Sequence, residues 1–192
     1  MADETIIAES DDPTLWQSTL AAMQQAPLPV VNESPTRQDA SDGVARQRNA
    51  GDEALQKLAR DAGVSVPELV GAIAPSMNEP HITLDSHCWS AMKAGTAERG
   101  PSAYGSTALV ATFMALWSTA AGAAPPTLGQ VGEVLGRLRV ADRNAIGGLQ
   151  RSFWLQLRSS GQIIVNPAHY PVATKILKSF CTKSWEEDPR KD

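Results

Sequence analysis

The chain has 192 residues, 42% of them hydrophobic and 20% charged, with a net charge of −4. That is material for one globular domain, or one domain with an arm; it excludes a chain too polar to bury a core and one basic enough to bind polyanions throughout. Two cysteines are too few for a disulfide framework, so the expected setting is the cytoplasm or another reducing compartment.

The net charge conceals an asymmetry. Residues 1–80 carry 13 acidic and 5 basic side chains, 81–130 two of each, and 131–192 10 basic against 6 acidic. A basic back half behind an acidic front half points to a polyanion, or to the acidic half of a neighbouring copy. Asp3, Glu4 and Glu9 stand where a signal peptide would need basic residues and an apolar run.

In chain order, Pro13 to Ala26 predicts a short amphipathic helix, with Asp12 as N-cap and Leu15, Trp16, Leu20 and Met23 on its apolar side. Pro27 to Asp52 has three prolines and few large apolar residues and predicts an extended linker. A small helix on a linker cannot bury its own face. Residues 1–51 are therefore expected to be an acidic arm that docks elsewhere, with a homo-oligomer as the natural partner.

Asp52 to Ala74 predicts two helices about a turn at Ala62–Val64. Leu55, Leu58 and Ala59 line the first helix, Leu69 opens the buried side of the second, and Ser65 with Glu68 forms a capping box. Over these roughly twenty residues the chain resembles the helix-turn-helix superfamily, which implies a DNA-contacting second helix. The outward positions of that helix, however, are Val66, Pro67, Val70 and Gly71, and Asp52, Glu53, Asp61 and Glu68 surround it. Base edges call for polar or basic side chains, and a duplex repels acidic ones. The expectation is a hairpin used for packing or protein contacts.

His81 to Ala94 predicts a helix capped near Thr83 or Asp85, with Cys88 or Trp89 buried beside Met92. Gly95 to Ser106 predicts a loop. Thr107 to Ala121 predicts the central core helix, packed through Leu109, Phe113, Leu116 and Trp117. Its dense apolar part, Ala108 to Trp117, is too short to span a bilayer. Thr127 caps a helix to Arg139 with Leu128, Val131, Leu135 and Leu138 on one side. Gly129, Gly132 and Gly136 flank them, which predicts either close approach by another backbone or a frayed, weak helix.

The most informative stretch is Ala141 to Val165. At helical spacing Ile146, Leu149, Phe153 and Leu157 form a core-facing stripe, and Arg143, Gly147, Arg151, Trp154 and Arg158 form an adjacent flank. Asp142 caps this helix and Ser159–Gly161 ends it. Gln162 to Val165 predicts one short strand, and Pro171 to Lys183 a last helix with Val172, Ile176 and Phe180 inward.

The fold expected is thus all-α: an arm at 1–51, a multi-helix domain at 52–184 with at most one short strand, and a charged tail at 185–192. The order after Thr127 is compatible with a winged-helix-like C-terminal part, although a wing needs a hairpin and only one strand is visible.

Catalytic chemistry finds little support. His81, His87, Cys88, His169 and Cys181 have no metal-ligand spacing, and adjacent His87 and Cys88 point apart on a helix. Neither a P-loop nor a G-x-G-x-x-G occurs. The expectation is no enzyme, no cofactor and no metal. The basic surface remains: Arg137, Arg139, Arg143, Arg151 and Arg158, then Lys175, Lys178 and Lys183. Guanidiniums suit bidentate phosphate contact, and Trp154 is expected either to stack on a base or to pack. The function expected is non-catalytic binding of DNA or RNA, regulatory or packaging. The alternative is an assembly module whose basic surface meets an acidic protein surface.

Overall fold

Helix α1 (Gln38–Ala62) opens the computed structural model, which describes residues 38–79, 81–97, 103–185, 188 and 190. The chain divides into two units, Met1–Ala40 and Ser41–Asp192. In the first, only the opening residues of α1 are described, so the expected helix at 13–26 and its docking lie outside the described residues. α1 corrects the linker expected up to Asp52. The prolines of that stretch, Pro27, Pro29 and Pro35, all precede Gln38. Downstream only Gly43 and Gly51 weaken the helix, at about 1 kcal/mol each.

α1 buries Ala54, Leu58, Ala59 and Ala62. Gly63, at φ +65°, then turns the chain, a left-handed conformation that glycine adopts without cost. Helix α2 (Val66–Ile73) begins with the capping box: the Glu68 amide donates to Ser65 Oγ (3.3 Å) and the Ser65 amide donates to Glu68 Oε2 (2.8 Å). Helix α3 (Ser86–Gly95) starts at Asp85, whose Oδ1 accepts from the Cys88 amide at 2.8 Å, and buries Cys88, Trp89 and Met92.

Helix α4 (Ser106–Ala121) is buried continuously from Ser106 to Ser118. A run with no charge between Ala103 and Ala124 can be enclosed on all sides without stranding an ion. Helix α5 (Leu128–Arg137) buries Val131, Val134 and Leu135 behind a capping box of Thr127 and Gln130. Of the two expectations for its glycines, close approach does not occur. Gly132 and Gly136 have open space where a Cβ would sit, and Gly129 meets only Thr127 Oγ1.

The largest difference from expectation follows. Helix α6 is only Ala145–Arg151, and the chain then forms strand β1 (Leu155–Leu157), antiparallel to β2 (Ile163–Val165) with Leu155 opposite Val165 and Leu157 opposite Ile163. The fold is mostly helical with a two-stranded sheet, where an all-α chain with at most one strand was expected. A Gly147–Gly148 pair weakens the helix, and the aromatic and β-branched residues after it favour a pleated surface. Trp154 fixes the switch: its indole N–H donates to Thr112 Oγ1 (2.9 Å) on α4, and the Leu155 amide closes a turn on the Ser152 carbonyl (2.8 Å).

Exposure is thereby inverted. Trp154, expected on the surface, is 3% exposed, whereas Ile146 (52%), Phe153 (45%) and Leu157 (44%), expected in the core, face out; only Leu149 of that stripe is buried. Outside the strands, Thr127 forms an antiparallel bridge with Gln162, and the Ile163 amide donates to the Pro126 carbonyl at 2.8 Å. After a 3-10 turn (Pro167–His169), helix α7 (Tyr170–Thr182) buries Val172, Ile176 and Phe180. α4 packs against α5, α6, β2 and α7, and α7 also packs against α2 and α3.

Packing continues past Ser184. Trp185 is buried with its ring edge on Tyr104 (centroids 5.5 Å), and Tyr104 Oη donates to Asp188 Oδ1 at 2.8 Å. These residues are docked, not a solvated tail.

Candidate functional site

All eight expected cations are exposed. Arg137 ends α5, Arg139 sits in the following turn at φ +55°, Arg143 precedes α6, Arg151 ends it, and Arg158 opens the β1–β2 loop. That loop is tight: the Arg158 amide donates to the Gln162 carbonyl (2.8 Å) and the Gly161 amide to the Arg158 carbonyl (2.9 Å). The five arginines therefore mark the ends and turns of one helix–helix–hairpin segment. Among the described residues, none of the five pairs with a carboxylate; the ion pairs seen are Glu79–His81 and Asp188–Arg190.

The lysines belong elsewhere. Lys178 Nζ lies 3.8 Å from where a Gly63 Cβ would be, beside the α1–α2 turn. Lys183, after α7, lies close enough to Cys88 on α3 for its charge to act there. Of the two roles expected for Trp154, stacking or packing, it takes packing: its indole is enclosed and its N–H donates to Thr112 Oγ1.

Arg143 and Arg151 meet at a cleft of about 940 Å³. One wall is the start of α4 with Lys93 of α3 beside it, and the other is the 141–144 turn and α6. In its lining two backbones converge, a Gly105 Cβ position lying 3.5 Å from Gly148 Cα. Asp142 lines this cleft but does not cap α6 as expected, where Asn144 stands at the N-cap; it binds the first turn of α4 instead. Its Oδ2 accepts from the Thr107 amide (3.0 Å) and hydroxyl (2.8 Å), and its Oδ1 accepts from the Asn144 amide (3.0 Å). Burial pushes its pKa up, but those donors and the Lys93 charge outweigh burial, and the carboxyl stays below its ordinary value. A Cβ on Gly147 would collide with Asn144, so this glycine admits its own neighbour's side chain, not a ligand.

Arg190 also reaches the cleft, with its charge already engaged. Its Nη2 and Nε donate to Asp188 at 2.7 and 2.8 Å, and its guanidinium stacks 4.1 Å from the Tyr104 ring centre. Lys93, Tyr104 and Arg190 carried no sequence signal for this site, because all three reach it through tertiary packing from outside the 137–158 segment.

Thiol chemistry is disfavoured. Cys88 is buried next to exposed His87; burial and then Asp85 raise its pKa, and burial pushes Cys181 up to about 12. Both sulfurs are held as thiols, the poorly nucleophilic form. Among the described residues no helix is long and apolar enough to cross a membrane, and no group of three or more His, Cys, Asp or Glu could hold a metal ion. No family model matches this chain, and no curated protein or solved structure matches it either.

Proposed function

We propose that this protein is a non-catalytic nucleic-acid-binding protein that contacts backbone phosphates through the segment from Arg137 to Arg158. The observation that carries this reading is five exposed arginines placed at the ends and turns of α5, α6 and the β1–β2 hairpin, none with a carboxylate partner among the described residues. The order α4, Thr127 bridge, α5, α6, β1, β2, with Thr127 paired to Gln162, is winged-helix-like, and the hairpin supplies the wing. α6 presents Ile146 and Gln150 four residues apart on its exposed side. A glutamine can read adenine bidentately and an apolar side chain can touch the thymine methyl in a major groove. Duplex DNA is therefore the form this surface fits best, with an oligomer assembled through the N-terminal arm.

Titrating a random DNA duplex from low to physiological salt tests the reading. Changing Arg143, Arg151 and Arg158 together to Ala should weaken binding and reduce the salt slope by about 3, close to one per phosphate contact. Unchanged affinity and slope would overturn it. Light scattering of the chain without residues 1–37, which precede α1, tests the arm; an unchanged oligomeric state removes that part.

A second reading is favoured by Ile146, Phe153 and Leu157, three large apolar side chains left about half exposed in this same segment. A protein-assembly surface would combine them with the arginines against an acidic, partly apolar partner. Absence of duplex binding, with the wild-type oligomer lost on changing Phe153 and Leu157 to Ser, would favour it.

A further inference from the structure

The arginine segment is an outward-facing surface, but the cleft beside it is a recess, and the two call for different ligands. We propose that the cleft between the start of α4, the 141–144 turn and α6 binds a small polyanion of the di- or triphosphate class, held by Lys93, Arg143 and Arg151. Because Arg143 and Arg151 also belong to the surface assigned to nucleic acid, occupation of the cleft competes with the duplex; only this competition rests on the function proposed above.

The charge balance of the cleft argues for an anion. Arg190 is neutralised by Asp188. Asp142, the acidic residue lining the cleft among those described, has both oxygens occupied by the Thr107 and Asn144 donors. Among the described residues, that leaves two guanidiniums and one ammonium over a single carboxylate already engaged. Lys93 is exposed; among the described residues it makes a long contact to Ser106 Oγ (3.5 Å), a distant cation–π geometry over Trp89 (5.7 Å) and a charge interaction with Asp142, none of them a short hydrogen bond, so it can swing to a ligand. A planar fork grips two phosphate oxygens at once, whereas an ammonium serves as a movable point charge.

Size and shape argue for a small molecule. About 940 Å³ lies within the span of small-molecule sites, and in its lining the Gly105 and Gly148 backbones approach closely. The aromatic residues of the wall cannot serve a base: Arg190 covers Tyr104, Trp185 takes it edge-on, and Trp154 is enclosed. Recognition therefore falls to charge and not to stacking. The α4 terminus contributes little, because Asp142 already takes its Thr107 amide.

Isothermal titration of the full chain with pyrophosphate and tripolyphosphate at low salt, with orthophosphate as control, tests this. Saturable one-to-one binding is expected, weakened about tenfold or more by Lys93→Gln, Arg143→Ala or Arg151→Ala, and unaltered by Arg137→Ala or Arg158→Ala. No saturable binding, or equal loss in all five variants, would overturn the proposal. In a competition arm, pyrophosphate should displace a duplex from the wild type and do so poorly from Lys93→Gln, a residue outside the 137–158 segment. Pyrophosphate binding without duplex binding would sustain the cleft and sink the nucleic-acid reading. Duplex binding without pyrophosphate binding would do the reverse.

Discussion

Two pairs of helices in this chain look alike in outline and differ in what they present. α1 and α2 meet through a glycine turn and a Ser65–Glu68 capping box; α5 and α6 are joined by the 138–144 turn, with a Thr127–Gln130 capping box at the start of α5. The first pair faces outward with Val70, Glu68 and Asp61. The second faces outward with arginines at nearly every end and turn, and a hairpin continues it. Two helices joined by a turn are a packing solution, so the outline recurs wherever two amphipathic helices must bury their faces. Chemistry depends on what the outward positions carry, and here the pair with the more recognisable sequence pattern carries the less suitable surface.

The strongest test of this contrast is structural. Trp154 ties the hairpin to α4, so Trp154→Ala should cost about 3–5 kcal/mol and loosen the arginine-bearing pair. Thermal unfolding reads the cost, and duplex titration at a temperature where the variant remains folded reads the consequence. If the variant were as stable as the wild type, the hairpin would not depend on that anchor.

Cap substitutions sharpen the comparison. Ser65→Ala and Thr127→Ala each remove an N-cap and should each cost about 1 kcal/mol in denaturant unfolding. Only Thr127→Ala should also weaken nucleic-acid binding, since the cap it removes starts α5 at the residue whose backbone bridges to the hairpin at Gln162. Equal effects on binding would erase the distinction between the two pairs.

The smallest expected effect concerns the docked C-terminal residues. Hydrogen bonds from Arg190, then Tyr104, hold the Asp188 carboxyl well below its ordinary value of 3.8. A depressed carboxylate pKa stabilises the fold above the unfolded value and loses that contribution as pH falls below about 4. Asp188→Asn should therefore unfold with a flatter dependence on pH in that acid range. An unchanged acid limb in urea melts would show that this pairing contributes nothing to acid stability.

Much of the helical framework was legible in the residues. The central α4 announced itself by an uncharged apolar run, and Asp85, Thr127 and Ser65 stand as caps where their side-chain chemistry places them. The 141–165 stretch misled for a physical reason. Helical spacing of Ile146, Leu149, Phe153 and Leu157 is a one-dimensional pattern, and a short helix followed by a strand can contain the same residues with different faces buried. The α5 glycines left two readings open, since glycine marks weak helix as readily as close contact.

By itself the sequence determined the charge asymmetry, the order of most helices and the concentration of arginine between 137 and 158, because these depend on composition and local propensity. Only tertiary structure decided that Trp154 points inward while Phe153 and Leu157 point outward, because the Thr112 hydroxyl that receives the indole N–H lies 42 residues away. Tertiary structure alone also brought Lys93 and Arg190 to the cleft that Arg143 and Arg151 share. Which charges stay free, and which are already answered within the fold, is settled by contacts between segments that no local pattern connects.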